Sequence, residues 1–238
     1  MKRIVMAATT VLAAASLAAC KPPADAVFDA KVRAYLLDHP EVIAEAMTKL
    51  QEKQAQASIS KTLAAVKEHR QALERDPRDF VANPEGTITV VEFFDYRCTY
   101  CKIAAPEIVK LVRENPDVRF VFKEFVIFGA ESEAAARAQL GAQGQNKYLA
   151  GYEHLMEEKA LTAGNLDGVL AQAGLDVAKA RAAGNDPAVT QHLQDVRDLA
   201  TTLGVEGTPA FFVGDKVIPG ADLPALKQAI AEAKLKRT

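Results

Sequence analysis

The sequence predicts an α/β fold: a small sheet interrupted by a block of helices and preceded by a helical arm. Three observations carry this. The β-branched run Ile88–Val91 with Phe93 leads into Cys98 and Cys101, after which Ile103, Ile108, Val109 and Val112 recur at helical spacing. From Glu131 to Leu203 the apolar pattern is helical throughout, yet strand-like runs lie on either side of it. Ahead of the first strand, residues 27–66 carry a sparse helical stripe with too little apolar surface to fold alone.

Residues 1–19 are a different material. Met1–Lys2–Arg3 is a positive start and Ile4 to Ala19 is uncharged and rich in Ala, Val and Leu, the pattern of a secretory signal peptide. The run is too short for a spanning helix, and export places the thiols where disulfides persist. Leu17–Ala18–Ala19–Cys20 looks like a bacterial lipobox, in which Cys20 is acylated. Ordinary cleavage nearby, leaving Cys20 as a spare thiol, is the alternative. Several acyl chains would hold the protein stably on a membrane, and Lys21 after the Cys resembles lipoproteins of the outer membrane.

After the tether Lys21–Ala24, Val27, Phe28, Val32, Tyr35 and Leu36 predict a short helix that stops at His39, because Pro40 disfavours helix in the residue before it. Pro40 and Glu41 suit the start of a second helix carrying Val42, Ile43, Ala46, Met47 and Leu50. The stretch 51–58 is polar, a hinge candidate without Gly or Pro, and helical character resumes at Ile59, Leu63 and Val66. Arg75–Asp76–Pro77 closes this region. The segment 20–76 either packs on the main domain or self-associates; a self-associating arm is expected, and a plain stalk or membrane spacer is the alternative.

Asn83–Gly86 is a turn before the first core strand, and Asn115–Pro116–Asp117 stops the helix that follows the cysteines. Val118–Phe122 reads as a second strand, leading to Phe125–Gly129. Helices with Gly-containing breaks fill residues 131–203. Ala210–Val213, the link Gly214–Asp215 and Lys216–Ile218 form a hairpin, and a last helix runs from Leu223 to Leu235. The main domain is placed at 80–238.

The formal charge of −2 gives no basic field for nucleic acid. Strand, turn, Cys-x-x-C, helix is the layout of a thioredoxin-like redox site. Cys98 at a helix start receives orphan N–H groups and the positive end of the helix dipole, which favour the thiolate that performs exchange. Cys98 is therefore expected to be the exposed nucleophile, with Cys101 one turn further in to resolve the mixed disulfide. Glu92, within the apolar strand, is read as a buried acid that takes the proton of Cys101; pointing to solvent is the alternative. A zinc site needs more ligands than two cysteines and the isolated His39, His69, His154 and His192 supply, so neither metal nor cofactor is expected. Two thiols suit Cu(I), which keeps a copper carrier open.

With these residues read, the chain resembles the DsbA-like branch of the thioredoxin superfamily from about Phe80 onward. Phe93–Phe94–Asp95–Tyr96 before the cysteines, Pro106 after them, and Thr208–Pro209 carry the resemblance. It implies a thioredoxin-like fold with an inserted helical domain, and a cis Pro209 facing the cysteines so that a substrate strand lies against Thr208. Arg33–Val42 and the strand Val121–Phe125 resemble suppressor-of-copper-sensitivity C (ScsC) and Com1-like proteins. That resemblance implies a homo-oligomer, a trimer, formed through residues 25–75. The expected activity is an oligomeric disulfide isomerase or reductase on misfolded, disulfide-containing exported proteins, served by a membrane-bound thiol reductant or oxidant. A monomeric DsbA-like oxidase, and a non-enzymatic copper-binding or surface lipoprotein, are the alternatives. The expected place is the periplasmic side of the envelope, anchored to the outer membrane through Cys20; a soluble periplasmic protein is the alternative.

Overall fold

The computed structural model describes residues 26–236, so the signal segment and Cys20 lie outside the described residues. The chain divides into two compact units, residues 1–56 and 57–238.

In the first unit α1 (Ala26–Asp38) ends where Pro40 requires, and α2 (Glu41–Glu68) begins just after it. The ring of His39 packs on Tyr35 at 4.5 Å, and the amide of His39 donates to the carbonyl of Tyr35. Helix α2 runs unbroken through the polar stretch 51–58, because nothing there removes a backbone donor or relaxes the chain. Tyr35, Leu37, Met47 and Leu50 are each more than half exposed.

The second unit is built on a five-stranded sheet of order β1-β3-β2-β4-β5, formed by β1 (Phe80–Ala82), β2 (Ile88–Phe94), β3 (Val118–Glu124), β4 (Ala210–Val213) and β5 (Lys216–Pro219). β2 and β3 are parallel and joined by α4 (Thr99–Glu114); the other pairs are antiparallel. β1 is an addition to the expected strands. Its three residues are too few to show alternation in the sequence, and it forms by pairing Phe80 with Phe122. The two outermost strands have only three and four residues.

One face of the sheet, with Val90, Phe94, Phe120 and Phe122, is packed by α4, by α10 (Leu223–Leu235) and by inserted helices. The other face, with Val91, Phe93, Val121 and Phe212, is packed by Val66 of α2, Leu73 of α3 (Arg70–Glu74), and Val196, Leu199 and Ala200 of α9 (Pro187–Thr202). Val66 and Leu73 fall in the stretch 20–76 read as the self-associating arm, and both are fully buried. Buried Lys123 fixes this junction, donating to the carbonyl of Ala72 at 2.6 Å and to Asp79 at 2.5 Å. Between β3 and β4 lie α5 (Ala130–Gly141), α6 (Tyr148–Glu157), α7 (Leu166–Gln172), α8 (Val177–Gly184) and α9.

Candidate active site

β2 ends at Phe94, and the turn Asp95–Arg97 delivers Cys98 to the N-cap of α4. The Cys98 sulfur accepts the backbone N–H of Cys101 at 3.4 Å. Both cysteines are free thiols. Cys98 lies 3.1 Å from the carbonyl oxygen of Thr208, to which its thiol donates, and the Thr208–Pro209 bond is cis. The hairpin thus brings to the cysteines a residue 110 positions away.

Cys98 differs from the exposed nucleophile expected from sequence: it is 3% exposed, and Cys101 is fully buried. Its thiolate therefore depends on protein donors more than on water. The Cys101 hydrogen bond, then the Thr208 side chain and the backbone amides of Cys101 and Tyr100, overcome burial and bring the Cys98 thiol down to about 6. Cys101 goes the other way, raised far above a normal thiol by burial, by its hydrogen bond to Cys98 and by the nearby Glu92 charge.

Glu92 is 2% exposed and does not point to solvent. Burial pushes its carboxyl up to about 8, against the pull of the Tyr152 hydroxyl, which donates to it at 3.2 Å. Its position on β2 follows from period two: Val90, Glu92 and Phe94 share the face that α4 and α6 cover.

Sequence reasoning assigned no role to several contributors. Asp95 accepts from the amides of Arg97, Ile127 and Phe128 and from the Ser132 hydroxyl, all within 3.1 Å. With Arg97 donating to the carbonyl of Phe128 at 2.8 Å, it pins the loop after β3 beside the cysteines. Lys102, next to Cys101, donates to the carbonyls of Leu155 and Glu158 and so closes the C-terminal end of α6. Glu124 is a second buried acid, accepting from Tyr96 at 2.8 Å and Tyr148 at 2.6 Å. Tyr148 and Tyr152 stand one helical turn apart on α6, a spacing that marks a helix face and not a partner. Glu124 carried the same signal that exposed Glu92, a carboxylate ending an apolar run.

Around the cysteines Tyr100, Ile103, Ile127 and Phe128 are exposed apolar side chains. Among the described residues no group of three or more His, Cys, Asp or Glu could hold a metal ion, and no helix is long and apolar enough to cross a membrane.

Residues 89–231 match the DSBA-like thioredoxin domain. Residues 26–57 match the copper resistance protein ScsC N-terminal domain. A thioredoxin-like oxidoreductase from Silicibacter pomeroyi DSS-3 is 39% identical with a TM-score of 0.65, covering 69% of this chain and 97% of that one. BcfH of Salmonella enterica Typhimurium is 31% identical with a TM-score of 0.73, covering 87% and 95%. Proteus mirabilis ScsC in a transitional conformation is 27% identical with a TM-score of 0.66, covering 88% and 96%. Among curated proteins, the Na(+)/H(+) antiporter NhaA 1 of Salinispora arenicola is 29% identical over 164 residues, 66% of this chain; the chain spans about a quarter of the length of that relative. Because the domain match runs from the strand beneath the cysteines to the last helix, the chain belongs to the DSBA-like thioredoxin domain proteins, a family of thiol–disulfide oxidoreductases, and carries an N-terminal segment of the ScsC type.

Proposed function

We propose that the protein is an exported disulfide isomerase or reductase that acts as an oligomer on misfolded, disulfide-containing exported proteins. The observation that carries the chemistry is the contrast between the two sulfurs: Cys98 is stabilised as a thiolate while Cys101 holds its proton. The Cys98 thiolate attacks one sulfur of a client disulfide, forming the mixed disulfide and releasing the other client sulfur as a thiolate. In isomerisation that or another client thiolate attacks the client sulfur of the mixed disulfide, and Cys98 leaves unchanged. In reduction Cys101 passes its proton to Glu92 and attacks the Cys98 sulfur, expelling the reduced client and leaving a Cys98–Cys101 disulfide. A membrane-bound thiol reductant would restore it. Thr208 and Pro209 would form the wall along which the client strand lies.

The oligomer rests on the ScsC-type segment and its exposed apolar side chains. Thr99–Tyr100 between the cysteines lacks the His of strongly oxidising relatives, which favours isomerase or reductase over oxidase. Cys20 would anchor the mature protein to the envelope, an assignment that fails if palmitate labelling persists in Cys20→Ser.

Refolding of scrambled ribonuclease tests the function. An isomerase restores ribonuclease activity and loses that ability in Cys98→Ser and on deletion of residues 21–56, a deletion that spares the buried Val66 and Leu73. Action on reduced ribonuclease alone would identify an oxidase, and Cu(I) binding without either activity would identify a carrier.

A further inference from the structure

The exchange chemistry uses Glu92, but the chain buries a second acid beside it with no part in the steps above. Glu92 pairs across the parallel strands with Phe122, and Phe94 with Glu124, so the two carboxylates are diagonal neighbours on one sheet face. Both are 2% exposed. Helix α6 supplies Tyr148 to Glu124 and, one turn on, Tyr152 to Glu92. Tyr96, two residues before Cys98, gives its hydroxyl to Glu124 as well. The rings of Phe94 and Phe122 fill the space between, each 5.1 Å from that of Tyr152.

We propose that Glu124, held by Tyr148 and Tyr96, is a positioning residue of the exchange reaction: through its own charge it sets how readily Glu92 takes the proton of Cys101. The resolving step moves one proton from the Cys101 sulfur to the Glu92 carboxylate. The freed electron pair forms the Cys101–Cys98 bond, and the client thiolate departs. Glu92 can accept only when ionised, and a charge on Glu124 opposes that ionisation in a site without solvent to screen it. Burial holds Glu124 up at about 8, against the pull of Tyr148 and Tyr96, and the charges of Asp95 and Glu92 push it further. The Glu92 charge acts on Glu124 in this way, and repulsion between two unscreened carboxylates is mutual.

Titratable and polar groups face the pair from the turn before α4 and from α4, α5 and α6. Asp95 and Tyr96 come from the turn before α4, and Cys98 and Cys101 from its start. Tyr148 and Tyr152 come from α6, and the Gln139 amide of α5 donates to the Tyr148 carbonyl. Lys102 sits within range of Asp95 and both cysteines.

The test is the pH profile of the resolving step in the full chain, followed by rapid mixing of reduced protein with oxidised glutathione, with the Cys98 thiolate followed separately by ultraviolet absorbance. Glu124→Gln keeps an oxygen for both tyrosines and removes the charge. The inflection belonging to Glu92 is expected to fall by about one pH unit while the Cys98 titration stays in place. Tyr148→Phe, which leaves the acid but weakens its ionisation, should move the inflection the same way by less, and carries the test if Glu124→Gln does not fold. An inflection that stays at the wild-type pH, or a loss of rate equal at every pH, overturns the proposal. The inference rests on the exchange reading, but the two fail differently. A wild-type protein inert toward oxidised glutathione defeats the exchange reading, whereas an unmoved inflection in an active protein defeats only the role of Glu124.

Discussion

Two sulfurs one helical turn apart differ in proton affinity because the Cys98 thiolate accepts the Cys101 thiol and amides at the start of α4, whereas burial holds the proton on Cys101. The Cys101 thiol is the largest favourable influence on Cys98, so Cys101→Ala is expected to raise the midpoint of Cys98 alkylation by iodoacetamide above the value of about 6. Since the folded Cys98 value is depressed, its contribution to the stability of the reduced chain is present above the ordinary thiol range and lost as pH falls through about 6. Glu92 and Glu124 have the opposite sign: raised to about 8, they favour the folded state below the ordinary carboxylate range, and that contribution is lost as pH rises through about 8. Glu92 was legible in the sequence because a carboxylate inside an apolar strand needs a partner. The partner itself was not. Whether the hydroxyl of Tyr152 reaches β2 depends on how α6 lies on the sheet, which spacing along the helix does not encode. Asp95 was visible as part of a motif, but its acceptors serve amides more than thirty residues away.

At the scale of elements, small residues at helix ends do more than break the chain. Gly141 closes α5 and Gly184 closes α8. A Cβ added at Gly184 would lie 2.4 Å from the carbonyl oxygen of Arg137, and one at Gly141 would lie 2.2 Å from that of Ala180. The two helices meet backbone to backbone, and no side-chain rotation relieves such a clash. Gly184→Ala is expected to cost about 1–3 kcal/mol by overpacking, read as a lower denaturant midpoint. The same substitution at Gly168, with open space around it, should cost nothing of this kind. Sequence reading gave only Gly-containing breaks among the helices of residues 131–203, because termination is a local property. It could not show that α5 and α8 touch there, because the contact joins segments distant in the chain, Gly141 to Ala180 and Gly184 to Arg137. Helix α2 is the converse case: the polar stretch 51–58 lacks an apolar face but has no breaker, and local propensity carries the helix through it.

For the whole molecule, the order of strands and helices was legible because each element occupies its own stretch with its own period and stop signals. What escaped was which part of the N-terminal region joins the core, since Val66 and Leu73 look no more apolar than Met47 or Leu50 and differ only in what packs on them. Deletion of residues 21–56 should therefore lower the mass seen by light scattering to that of one chain while leaving the helical circular-dichroism signal per residue of the remainder and its cooperative unfolding intact. Retention of the full-length oligomer mass would remove the proposed role of the arm. The short outer strands have a consequence of another kind. A sheet that ends in long, flat strands offers its spare amides and carbonyls as a template for amyloid-type growth. Here one border is three residues long, and the other holds a charged Lys216 at one end and Pro219, without an N–H, at the other. In the proposed role, where unfolded chains are the clients, the sheet would present them almost no border on which to polymerise.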